Sequence, residues 1–184
     1  MSAAALLADL ERHRASFAAL LDGLDPAAVH APPAPGAWSL AQLAEHVLKI
    51  DAGLVLDGPP ASRLARATSR ARAAALCAVL SLPLRIPAPP AARGVMPSAD
   101  PRWPDVREAW AALRAGWRAE GAGLGRVAYR HPLFGPFLLP DALRFLRAHH
   151  RHHDAQVRRT LGRVTSGAGR AASAAPGKHR LALL

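Results

Sequence analysis

Four histidines, His149, His150, His152 and His153, fall within five residues of one another. They lie where a helix would otherwise be apolar. From Pro140 to Leu161 the residues Ala142, Leu143, Leu146, His149 or His150, His153, Val157 and Thr160 or Leu161 recur at helical spacing. Pro140 suits the first turn, Asp141 suits its positive end, and Gly162 supplies a stop. An imidazole that interrupts an apolar stripe faces the core, where an unpaired polar ring is costly. The chain must therefore bring partners to this helix, and the fold has to be one that surrounds it.

His149 and His153 are four apart, so one helical face turns both rings toward a single point. That is a chelating geometry. His153 sits well inside the stripe, while His149 and His150 lie on its two flanks, and periodicity does not separate them. His150 and Asp154 form a rival pair at the same spacing. His152 points away, toward solvent.

The remaining chain supplies further helices. Ser2 can cap one that continues to about Gly23, with Leu6, Leu10, Phe17, Leu20, Leu21 and Leu24 as its apolar stripe. His13 lies near that stripe and reads as a packed, hydrogen-bonded histidine. Ser39 followed by Gln42 is a capping box. It opens a second helix running to about Asp57-Gly58-Pro59, with Leu40, Leu43, Val47, Ile50 and Leu54 inward. His46 sits on the same face. It is either hydrogen-bonded, to Glu45 or a nearby backbone group, or a metal ligand. Ala61 to Leu82 is again helical, with Leu64, Leu76, Val79 and Leu80 apolar and one helix or two equally compatible with the pattern. Pro83 to Pro104 holds seven prolines and no periodicity, so it reads as an extended crossover. Trp103-Pro104-Asp105 opens a helix striped with Val106, Trp110, Leu113 and Trp117 that breaks at Gly121. Tyr129 to Pro136 is a turn-rich lead-in to the histidine helix. Residues 163–184, with four basic side chains and no acidic one, read as a disordered tail beyond a single helical domain over 1–162.

Composition narrows the function. Alanine and leucine dominate and aromatic residues are only 5%, which favours an all-α fold. The net charge of +11 comes almost wholly from arginine, scattered rather than clustered and without interleaved aromatics. No helix-turn-helix, zinc-finger or base-stacking motif accompanies it, so no specific nucleic-acid partner is expected. Cys77 is the only cysteine, which excludes an intrachain disulfide and fits a cytoplasmic protein. Asp9 and Glu11 argue against a targeting peptide. The apolar run from Ala73 to Leu80 is far too short to span a membrane.

Neutral imidazole suits zinc, nickel and related divalent ions, and a catalytic site commonly takes three protein ligands. His46, inward on a different helix, is a plausible third ligand beside the histidine pair, and such an ion would sit near one end of a four-helix bundle.

The spaced pattern Trp38-Ser39, Glu45-His46-Val47, His131-Pro132-Leu133-Phe134-Gly135, then His149, His153 and Gln156, resembles the DinB-like superfamily of YfiT-like metal-dependent proteins. The resemblance spans most of residues 1–162. It implies an up-down-down-up four-helix bundle with the proline-rich segment as its long crossover. It also implies a metal site of one histidine from the second helix and two, four apart, from the last. Matched residue by residue, the gap before Gln156 selects His153 and His149, with His46 as the third ligand. The ion expected is zinc or nickel, with a low-molecular-weight thiol as a second cofactor, and the family implies a homodimer. The reaction expected is transfer to or from a thiol, or hydrolysis, on an unidentified small molecule, with a non-catalytic metal-binding or stress-related module as the alternative. No residue is fixed as general acid or base: Glu45 faces away from His46, and Asp51 and Asp154 are only conceivable. Arg85, Arg93 and Arg130 are candidates for an anionic substrate if the crossover folds over the site.

Overall fold

Ser2 opens the first helix in the computed structural model, which describes residues 1–82, 90–117 and 125–173. Its hydroxyl accepts from the Ala5 N–H at 3.2 Å, and α1 runs Ala3–Asp22. Asp25 then caps a short α2, Pro26–His30, that the sequence pattern does not reveal. The capping box at Ser39 forms in full: the Ser39 N–H donates to Gln42 Oε1 at 2.9 Å, and the Gln42 N–H donates to Ser39 Oγ at 3.2 Å. It starts α3, Leu40–Asp51. The helix ends before the expected Gly58 because the chain turns to meet a strand. The Val55 N–H donates to the Ala128 carbonyl at 2.8 Å, and Gly58 lies so close to Val127 that a Cβ there would be 1.9 Å from its carbonyl oxygen.

A single helix, α4, covers Arg63–Ser81. Its inward residues are small: Ala65, Ser69 and Ala73, with Leu76. Leu64 and Val79, read from the sequence as core, are exposed, Leu64 by 72%. The small face lets α4 lie along the last helix, where Ser69 Oγ donates to Asp141 Oδ2 at 2.6 Å.

The crossover is not wholly extended. Pro90–Val95 forms a 3₁₀ turn packed on α3. After it, the outer ridge of α3 grips the chain. Gln42 donates to the carbonyls of Ser98 and Ala99, Lys49 donates to that of Met96, and Glu45 accepts from both the N–H and the hydroxyl of Ser98. Next, α5 spans Trp103–Gly116 and buries Trp103, Val106 and Trp110. The expected break at Gly121 lies outside the described residues.

The lead-in to the last helix is a β-hairpin, β1 Val127–His131 and β2 Gly135–Leu138, with His131 opposite Gly135. The structure is therefore mostly helical rather than purely so. From the hairpin, α6 runs Leu139–Ser173, passing through Gly162 instead of stopping there. One glycine costs a helix only about 1 kcal/mol relative to alanine. The expected boundary between domain and tail thus falls inside a helix, and residues 174–184 lie outside the described range.

Helix α6 packs against α1, α3, α4 and the hairpin. Two apolar clusters meet it: one with Leu6, Leu10, Ile50, Phe137 and Leu146, the other with Leu21, Leu43, Val47, Trp110 and Val157. Along α6 the histidines fall between Leu146 and Val157, so they occupy the seam between the clusters. Among the described residues no helix is long and apolar enough to cross a membrane.

Candidate metal centre

His46 on α3 and His149 and His153 on α6 converge, each under a tenth exposed. Each offers a ligand atom within 4.8 Å of the others'. Ring centroids are 5.2 Å apart for His46–His149, 5.0 Å for His46–His153 and 4.6 Å for His149–His153. The capping box sets where α3 starts, and the i, i+4 spacing on α6 does the rest.

Two of the three rings have their tautomer fixed. His46 Nδ1 donates to the Val95 carbonyl at 2.7 Å, and His153 Nδ1 donates to Gln156 Oε1 at 3.0 Å. Both oxygens can only accept, so each Nδ1 carries the proton and each Nε2 keeps its lone pair. The Nε2 atoms of His153 and His149 are 3.2 Å apart. If both are bare, they repel unless a cation lies between them. The buried Nδ1 of His149 has no partner in either tautomer, so only the proton on Nε2 decides whether the two rings attract or repel. A tetrahedral ion with bonds of about 2.0–2.1 Å sets its ligand nitrogens roughly 3.3 Å apart, close to the separation of the His149 and His153 Nε2 atoms, and the ligand atom of His46 lies within 4.8 Å of both. The donor set therefore fits a divalent ion.

Electrostatics favour the same state. Burial, helped by neighbouring His46, pushes the His153 imidazole down to about 3. Burial also lowers His149 well below the usual histidine value, with His153 and His46 adding to the effect. His46 is lowered by burial against the opposing hydrogen bond to Val95. All three rings are thus neutral at pH 7, the form a metal takes.

The rival donors are engaged elsewhere. His150 Nε2 donates to both oxygens of Asp51, at 3.0 and 3.2 Å, and Asp154 pairs with His13 at 2.9 Å, so the pair His150 and Asp154 does not form a chelate. His13 is packed and hydrogen-bonded, as its place near the apolar stripe of α1 implied. His152 is not solvent-facing: it is half-buried, its Nδ1 donating to the Leu80 carbonyl at 2.8 Å. Fully buried Asp51 also accepts from Arg14 Nε at 2.9 Å and from Trp110 Nε1 at 3.2 Å. Burial opposes its ionisation, yet His150 and Arg14 hold its carboxyl below the usual range. Glu45 turns outward to Ser98 and Lys49.

His131 belongs to the hairpin connection. Its Nδ1 accepts from the N–H groups of Leu133 and Phe134 at 3.2 Å each. Its ring packs on Phe145, whose ring in turn lies 5.8 Å from that of His149. Arg93 and Arg130 are exposed, and Arg85 lies outside the described residues. The backbone group that holds His46 is the Val95 carbonyl, whose identity no sequence signal marks because any residue could supply it. The Trp38 ring, which opens the spaced pattern, lies 5.0 Å from that of His46. A groove of about 390 Å³ between α1 and α6, bordered by His13, Phe17, Asp154 and Arg158, includes none of the three converging histidines.

A family model, that of the DinB superfamily, matches residues 9–157, a span that takes in the whole triad. Neither a curated protein nor a solved structure matches the chain.

Proposed function

The chain belongs to the DinB superfamily, and on that premise we propose that it is a metal-dependent enzyme whose divalent ion, zinc or nickel, is held by His46, His149 and His153. The observation that carries this reading is the pair of tautomer locks. The Val95 carbonyl and Gln156 turn two bare Nε2 atoms toward the third imidazole. When bound, the ion supplies Lewis acidity and draws down the pKa of a coordinated water or thiol. The protein's own part is to keep the rings neutral, oriented and dry, with Trp38 against His46 and Phe145 against His149.

Transfer to or from a low-molecular-weight thiol is favoured over hydrolysis. A hydrolase needs a proton shuttle, and the carboxylates considered for that role are engaged: Glu45 with Ser98 and Lys49, Asp51 with Arg14 and His150, Asp154 with His13. A thiolate brings its own nucleophile. The reading carries with it an up-down-down-up four-helix bundle, a homodimer and cytoplasmic residence. Its small-molecule substrate is unidentified.

Elemental mass spectrometry of tag-free protein tests the site. About one equivalent of metal is expected in the parent, with loss in His46→Ala and in His153→Ala. A parent that neither carries metal nor takes up added zinc or nickel refutes the proposal. The deep burial of all three rings favours a second reading, a non-catalytic metal-binding module with a closed coordination sphere. Cobalt substitution separates the two: a visible spectrum that shifts on adding a thiol marks an open position, and an unresponsive spectrum marks the closed one.

A further inference from the structure

Helix α6 carries two overlapping sets of donors, His149 with His153 and His150 with Asp154, offset by one residue. One residue is about 100° of helical rotation. The face of α6 turned to α3 therefore decides whether His46 meets two imidazoles or an imidazole and a carboxylate. The apolar stripe does not decide it, because His149 and His150 flank the stripe on either side.

A buried crosslink does. Asp51 lies five residues beyond His46 on α3, and His150 directly follows His149 on α6. Their contact at 3.0 Å therefore sits little more than one turn along α3 from the contact between His46 and His149. Arg14 of α1 braces the carboxylate at 2.9 Å, while its own guanidinium stacks 4.2 Å over Trp117. Trp110 of α5 donates to the same oxygen. Three helices thus fix a carboxylate carried by a fourth, and α6 is keyed to it through His150. Rotating α6 to bring His150 toward His46 would strip the carboxylate of a partner in a site with no exposure, an arrangement heavily penalised in low dielectric. At the other end of the rival pair, His13 holds Asp154 on the outer side.

We infer that Asp51 is a positioning residue: it fixes the rotational register of α6 on α3 and thereby selects His149 and His153, rather than His150 and Asp154, as the partners of His46. The inference rests on the metal-site reading only for its metal measurement, since the register can be read without an ion.

The first measurement is nuclear Overhauser contacts between histidine rings in chelator-treated protein. The parent should show His46 in contact with both His149 and His153. Asp51→Ala should lose the contact between His46 and His149, and its zinc affinity should fall by about 10-fold or more, the scale seen when the orientation of one metal-binding ring is lost. Asp51→Asn keeps an acceptor for the His150 N–H and should recover most of both. Leu143→Ala, a truncation of a fully buried α6 side chain, should lower stability yet keep the ring contacts and hold zinc affinity within about twofold. A folded Asp51→Ala with parental ring contacts and affinity overturns the inference, as does equal loss in Leu143→Ala. If Asp51→Ala does not fold, Arg14→Met is read in its place, and unchanged ring contacts there overturn it. If the parent binds no zinc, the metal-site reading fails, and the ring contacts alone decide the register.

Discussion

Replacing His153 with glutamine should change how the stability of the metal-free protein depends on pH, by an amount that can be worked out. Burial with its histidine neighbours places the folded imidazole at about 3, against about 6.5 in an unfolded chain. Because the folded value is the lower one, the unfolded chain takes up a proton that the folded protein refuses. The stabilisation is complete above pH 6.5 and is lost as the pH falls toward 3. Between pH 7 and pH 4.5 this one histidine should cost about 2.5 kcal/mol, from about 1.4 kcal/mol per pH unit once the unfolded ring is charged. His46 and His149 are lowered in the same direction but remain in the variant. Asp51, held below the usual carboxyl range, titrates under the window in both proteins. The assay is urea unfolding of chelator-treated parent and His153→Gln, followed by circular dichroism at the two pH values. With a urea slope of about 2 kcal/mol/M, the parent midpoint should fall about 1 M further than that of the variant. Parallel losses would mean that His153 is not a neutral buried ring in the folded protein, and the argument for a ready-made neutral ligand set would fail with it.

Three smaller perturbations test the frame around the site. Ser39→Ala removes one side of the capping box that starts α3 and should cost about 1 kcal/mol in urea unfolding. Gly58→Ala places a methyl group 1.9 Å from the Val127 carbonyl oxygen. The two backbones must part, and a loss at or above the roughly 1–3 kcal/mol of overpacking is expected, with faster amide exchange at Val127. Leu64→Gln should be neutral within about 0.5 kcal/mol, because that leucine faces solvent; a large loss would place it in a packed interface.

Features written in local sequence were legible before the structure. Ser39 and Gln42 announced the start of α3, the spacing of Leu40, Leu43, Val47 and Ile50 announced its inner face, and His46 on that face announced a buried polar group. What decided between His149 and His150 was not local. The Asp51 that engages His150 lies 99 residues away, and periodicity carries no information at that range. The inner face of α4 is only half legible from its large apolar residues: Leu76 is buried and Leu80 packs on the core, but close packing on α6 also requires the small Ala65, Ser69 and Ala73. The hairpin was hidden for a different reason. β1 buries three successive residues, Val127, Ala128 and Tyr129, so the alternation that identifies a half-buried strand is missing. Likewise the run of α6 beyond Gly162 turned on a small helix penalty, not on a stop signal.

The grip of α3 on residues 95–99 bears on how this chain meets a protease. Five proline residues between 87 and 101 and a scatter of Ala and Ser give the stretch the composition of a cleavable connector. A protease must draw several residues into its own extended cleft, yet here the carbonyls of Val95, Met96, Ser98 and Ala99 are already bonded to His46, Lys49 and Gln42. Cleavage within residues 95–99 has to wait for that strap to peel from α3, and peeling frees His46 Nδ1. The rate at which the strap is cut therefore also reports how often one of the three converging imidazoles loses the bond that orients it.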